Sequence, residues 1–143
     1  MKTTLTPANL RRIKKVKAAV IRVEPYGNDI VVFTSMETLV HDAQFVFDTE
    51  VFKPEDIEDG LYYGLAFHVP TELGTTFCMA FNGDKYREET IWHEALHTTI
   101  DVLNGHGVNL TPDNHEPFAY TQGYLVSQIR RKVFGLPEFS YDD

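Results

Sequence analysis

The chain has 143 residues, 43% of them hydrophobic and 13% aromatic, which is enough for one domain with an ordinary core. Thirteen basic against 21 acidic residues give a net charge of −8, which argues against a general nucleic-acid binder, because phosphate recognition needs concentrated positive charge. A single cysteine, Cys78, excludes an internal disulfide framework and a multi-cysteine zinc knot; it reads as a buried small hydrophobe and leaves histidine and carboxylate as the metal ligands available.

No repeat, low-complexity tract or long linker interrupts the sequence, so residues 1–143 are expected to form one unit. The opening MKTTLTPANLRRIKK has no apolar block beside its basic residues, and no later run approaches membrane-spanning length. A soluble, cytoplasmic protein without a membrane partner is the expectation. Thr6 before Pro7 suits the cap of a short helix, whereas Val16 to Val23 is β-branched enough for a strand. Between them Arg11, Arg12, Lys14, Lys15 and Lys17 form a basic cluster, read as solvated charge. IVVFTS, from Ile30, is a second strand, and the pair forms a hairpin turning near Gly27-Asn28. Ser35 then reads as the N-cap of an amphipathic helix with Met36, Leu39, Val40, Ala43 and Val46 or Phe47 at helical spacing. The acidic stretch DTEVFKPEDIEDG, around Pro54 and Gly60, reads as an exposed loop with one short helical turn, placed to rim a cleft. LYYGLAFHV and TTFCMAF are strand-like runs joined by a turn at Pro70 and Gly74.

ETIWHEALHTTID, Glu89 to Asp101, follows directly. Asp84 is placed to cap this helix, Glu88 and Glu89 suit the positive end of its dipole, and Asn104-Gly105 stops it. Ile91, Trp92, Ala95, Leu96, Ile100, Val102 and Leu103 surround most of its circumference, which predicts a buried helix whose polar residues are costly unless they share a cation. His93, His97 and Asp101, spaced i, i+4, i+8, form one stripe, with Glu94 on the adjacent flank. Two imidazoles one turn apart can reach one ion at about 2.0–2.1 Å, and Glu94 then faces the side of a water that the ion acidifies. This is the H-E-x-x-H pattern, here HEALH.

Catalytic zinc needs a third protein ligand. Glu116, 19 residues after His97, is the favoured candidate, at the start of a helix running from about residue 115 to Phe134 and ending at Gly135. Pro117 holds it at the helix threshold. His115 has nearly the same reach, and His106, nine residues after His97, would need the loop to double back. Tyr120 and Tyr124, one and two turns past Glu116, are candidate hydrogen-bond donors to a transition-state oxyanion, beside the plainer reading of aromatics in an inter-helix core. His41 and His68 stand isolated and read as surface or core residues.

HEALHTTID followed by NHEPFAY resembles the gluzincin type of zinc metallopeptidase, thermolysin-like enzymes included, over residues 89 to about 130. That resemblance implies His93, His97 and Glu116 as zinc ligands, Glu94 as general base, Ala119 as the small residue facing the site and Asp101 as the acidic residue four beyond the second histidine. Thermolysin-like enzymes place a histidine-orienting aspartate four residues after the ligand glutamate; Tyr120 stands there in this chain, so that support falls to Asp101. In size and element order the chain also looks like short metallopeptidase-like proteins encoded by bacteriophages, which would place it in a host cytoplasm. A metzincin would need histidine where Leu103 stands, and the inverted H-x-x-E-H order is absent. His106-Gly107 is similar to SprT-like proteases, but their zinc-ribbon cysteines are missing; ImmA/IrrE-like regulator proteases share HEALH but carry a more crowded acidic signature at the third ligand.

The expectations combine into an α+β domain: a small, mainly antiparallel sheet, one early helix and two late helices holding zinc between them. Its expected reaction is hydrolysis of a peptide or flexible protein segment, paired in extended form with TTFCMAF or LAFHV. The alternative from another class is an acidic binding or inhibitor protein whose metal site is structural or vestigial.

Overall fold

In the computed structural model, which describes residues 3–57 and 63–137, the N-terminal segment forms both a helix and a strand, one after the other. Helix α1 (Pro7–Ile13) starts at Thr6, whose hydroxyl accepts from the Asn9 N–H at 3.0 Å while Asn9 Oδ1 accepts from the Thr6 N–H at 2.9 Å. This reciprocal cap satisfies two otherwise unpaired backbone donors. Asn9 is buried, and its Nδ2 also donates to Val46 O at 2.8 Å, tying α1 to helix α2 (Leu39–Phe47). Strands β1 (Ala18–Val23) and β2 (Asn28–Phe33) form the expected hairpin, with Gly27 at φ 75° in its turn, a conformation that a β-carbon would strain. Strands β3 (Gly64–Thr71) and β4 (Gly74–Phe81) form a second hairpin.

The strands lie in the order β1-β2-β4-β3. Both hairpins are antiparallel, but they join through a parallel β2–β4 pairing, so the sheet is mixed. A parallel neighbour requires a crossover, and α2 lies in that connection. Side-chain alternation then sends the strands' apolar residues to two cores. Val31, Phe33, Val69, Cys78 and Ala80 pack with Leu5, Ile13, Leu39, Ala43 and Val46 of the early helical segments. Ile30, Val32, Met79 and Phe81 pack with Ile91, Ala95 and Val102 of helix α3 (Glu88–Gly105) and Leu125 and Ile129 of helix α4 (Glu116–Lys132). Cys78 is fully buried, and burial pushes its thiol far above the usual range, consistent with a packing residue.

Several local expectations shift. Helix α2 starts at Leu39 with Thr38 as its cap, and Ser35 Oγ instead accepts from the Thr38 N–H at 3.4 Å in the lead-in turn. Asp84 does not cap α3; the cap position is Arg87, without a side-chain bond, and Glu88 and Glu89 complement the dipole. Gly60, Leu61 and Tyr62, assigned by sequence to the loop and to the beginning of β3, lie outside the described residues. Helices α3 and α4 pack antiparallel: Arg130 Nη1 donates to Glu88 Oε2 at 2.6 Å and to the Tyr86 hydroxyl at 2.7 Å, and Gln122 Nε2 donates to Trp92 O at 3.1 Å. Among the described residues no helix is long and apolar enough to cross a membrane.

Candidate metal centre

Helix α3 lies against β3, an edge strand, and glycine sets how closely they approach. A β-carbon on Gly64 would sit 2.6 Å from Thr90 Cγ2 and 3.1 Å from Glu94 Cγ, so a side chain there would push strand and helix apart. This proximity lets the Ala66 backbone hydrogen-bond the Glu94 carboxylate. Glu94 is half-buried, and its carboxyl is pushed above the ordinary range by burial; His93, His97 and the Ala66 bond pull it down without cancelling the rise.

One turn apart on the same helix, His93 Nε2 and His97 Nε2 are 3.2 Å apart. Two nitrogens bound to one tetrahedral zinc at about 2.0–2.1 Å would be about 3.3–3.4 Å apart, so the pair has nearly the spacing of two corners of such a site. His93, Glu94 and His97 each offer one ligand atom, all within 4.8 Å of one another, and the group could hold a metal ion. The desolvation expected of these polar residues reaches Glu94 and Asp101 but not the histidines. Both imidazoles are exposed, as are Trp92 and Leu96, because α3 turns this side to solvent rather than being buried all round.

The group opens into a cleft of about 440 Å³. Residues 64–68 of β3 form one wall, and His93, Glu94, His97 and Asp101 form the other. Of the two strands considered for pairing with an extended segment, β4 is hydrogen-bonded on both sides, and β3 alone has an edge free of other strands among the described residues.

The remaining sequence candidates are dispersed. Asp101 is half-buried in the cleft wall but makes no hydrogen bond to His97 or to any other described residue. Glu116 is the first residue of α4, exposed and outside the group of three; His115, the cap before it, is exposed and also outside. His106 is held at the other hairpin, its Nε2 2.9 Å from Asn28 Oδ1 and its ring 5.3 Å from that of Tyr26. Tyr120, expected near the reacting carbonyl, is instead 70% exposed and lines a hollow of about 120 Å³ with Val23, Glu24, Thr121 and Tyr124. The reason is rotational: Tyr124 donates its hydroxyl to Arg22 O at 2.8 Å, which turns this face of α4 toward β1. Edge strand β1 is three strand spacings from β3, about 14 Å across the sheet.

His68, set aside by sequence, lines the cleft opposite the histidine pair. The available signal was alternation: Gly64, Ala66 and His68 share one face of β3, and the crowding at Gly64 shows that this face meets α3.

Comparison with protein-family models, with curated proteins and with solved structures finds no match to this chain.

Proposed function

We propose that the chain is a zinc-dependent peptide hydrolase in which His93 and His97 hold the ion and Glu94 is the general base. The carrying observation is a half-buried carboxylate beside two imidazole nitrogens 3.2 Å apart, facing the open edge of β3. A zinc ion held there supplies a Lewis acid for the scissile carbonyl and lowers the pKa of water. Glu94 takes the proton from the attacking water on a carboxylate oxygen and delivers it to the leaving amine. An extended substrate pairs with the outward N–H and C=O groups of β3, which in a strand belong to alternate residues.

Glu116 is the proposed third ligand. Gln122 meets Trp92, and Glu116 precedes Gln122 by six residues, about 9 Å along α4. In an antiparallel pair this puts it level with the His97 turn of α3. Among the described residues its carboxylate has no hydrogen bond or ion pair; because it lies near the face of α4 that Tyr120 and Tyr124 turn toward β1, holding the ion requires its side chain to swing back around the start of the helix.

Elemental analysis joined to a protease assay on an unfolded protein such as casein tests the reading. Wild type should bind one zinc, and His97→Ala and Glu116→Ala should lose it. Glu94→Gln should keep zinc while hydrolysis drops by about 10²- to 10⁴-fold. Zinc-free wild type, or undiminished hydrolysis in Glu94→Gln, would sink the proposal. The exposed position of Glu116 favours a second reading, an acidic binding protein with a structural or vestigial metal site; its mark would be a biological effect unchanged in Glu94→Gln.

A further inference from the structure

The cleft differs along its length. Its near end is closed by Gly64 pressed against Thr90 and Glu94, and Ala66 follows with its bond to Glu94. Strand and helix therefore advance side by side in the same sense. His68 lies about 7 Å beyond Ala66 along an extended strand, and Asp101 about 10 Å beyond Glu94 along a helix, so the two share the far end.

That end has unspent chemistry. Asp101 is a half-buried carboxylate in the cleft wall with no hydrogen bond or ion pair among the described residues, and it does not orient His97 as the motif suggested. A carboxylate partly withdrawn from water and left unpaired gains more from an arriving cation than a fully solvated one does. Across from it the His68 ring is exposed and has no polar partner among the described residues. A ring and a carboxylate on facing walls suit a side chain with a long aliphatic stem and a cationic tip.

Resting on the peptide-hydrolase reading for the direction of the substrate, we propose that the His68–Asp101 end of the cleft is a subsite for a lysine or arginine side chain. An antiparallel partner of β3 runs opposite to it, so the part of the peptide beside His68 lies N-terminal to the bond being cut. Asp101 accepts hydrogen bonds from the ammonium or guanidinium group, and the His68 ring covers the stem. The competing explanation is the field of a chain with net charge −8, which attracts basic peptides without involving any one carboxylate.

Fluorescence anisotropy separates the two. Labelled alanine–serine peptides carrying a single lysine, alanine or glutamate at each position in turn are titrated with zinc-supplemented full-length Glu94→Gln protein, so that nothing is consumed. Lysine should strengthen binding by about three- to tenfold over glutamate, at one position of the peptide. Adding Asp101→Asn should abolish this preference. Adding Glu37→Gln, which removes an exposed charge beside α2, should leave it intact. A preference that is absent, that survives Asp101→Asn, or that falls equally with Glu37→Gln overturns the subsite. With Glu94 restored, selective binding without cleavage would refute the hydrolase and leave the subsite standing. Cleavage without an Asp101-dependent preference would do the reverse.

Discussion

The two edges of the sheet are treated in opposite ways. At β1, helix α4 reaches down with two donors: Lys132 Nζ bonds Val20 O at 2.7 Å and the Tyr124 hydroxyl bonds Arg22 O at 2.8 Å. At β3 the neighbouring helix uses the Ala66 backbone, through Glu94, and a cleft of about 440 Å³ remains beside the strand. A free strand edge recruits other strands, and folded proteins generally cover or charge such edges. Among the described residues this chain meets one edge with side-chain donors and leaves the other unpaired next to His93, Glu94 and His97. The contrast teaches that α4 supplies side-chain donors to the outer edge of β1, whereas among the described residues no strand pairs with the outer edge of β3.

Three changes would break or sharpen that contrast. The largest effect is expected for Gly64→Val, which drives side-chain atoms into Thr90 and Glu94 and should lower stability to urea by about 2–3 kcal/mol, an overpacking cost. Thr90→Ser, which removes the Cγ2 that a β-carbon would meet at 2.6 Å, should restore about 1 kcal/mol of it. If Gly64→Val melts like the wild type, β3 is not pressed against α3. At the β1 edge Tyr124→Phe deletes the hydrogen bond to Arg22 O and should cost about 1 kcal/mol, with zinc affinity unchanged in a chelator competition. A loss of zinc in that variant would mean that the two edges are not independent.

The smallest effect concerns charge. Burial raises the Glu94 carboxyl, so the folded chain keeps that proton to higher pH than the unfolded chain does. The metal-free protein therefore loses stability as pH rises from the ordinary value of 4.5 through the raised folded one, and Glu94→Gln escapes this loss. The variant should be more stable at pH 7 by a few tenths to about 1 kcal/mol, a range kept low because solvent screens a half-exposed group, and the advantage should vanish toward pH 4. Equal melting curves at both pH values would contradict a desolvated Glu94.

Much of the candidate site was legible because its members share one helix. Residues four apart are neighbours in any α-helix, so HEALH places His93 beside His97 wherever the helix packs. The hairpin at Gly27-Asn28 and the ends of α4 were legible for the same local reason: glycine and proline act within a few residues of where they stand. Helix burial was not. The apolar residues around α3 predicted a covered cylinder, yet Trp92 and Leu96 reach the surface, because two layers of neighbours cannot surround four sides.

By itself, then, the sequence determined which side chains share a face: His93 with His97, Gly64 with Ala66 and His68, Tyr120 with Tyr124. The tertiary structure decided what each face meets. It brought His68 into the cleft, turned Tyr120 toward β1, held His106 at the far hairpin, left Glu116 outside the histidine group and gave β3 the open edge. Periodicity is a property of one element, whereas the meeting of faces depends on contacts between residues distant in the chain, which no local spacing encodes.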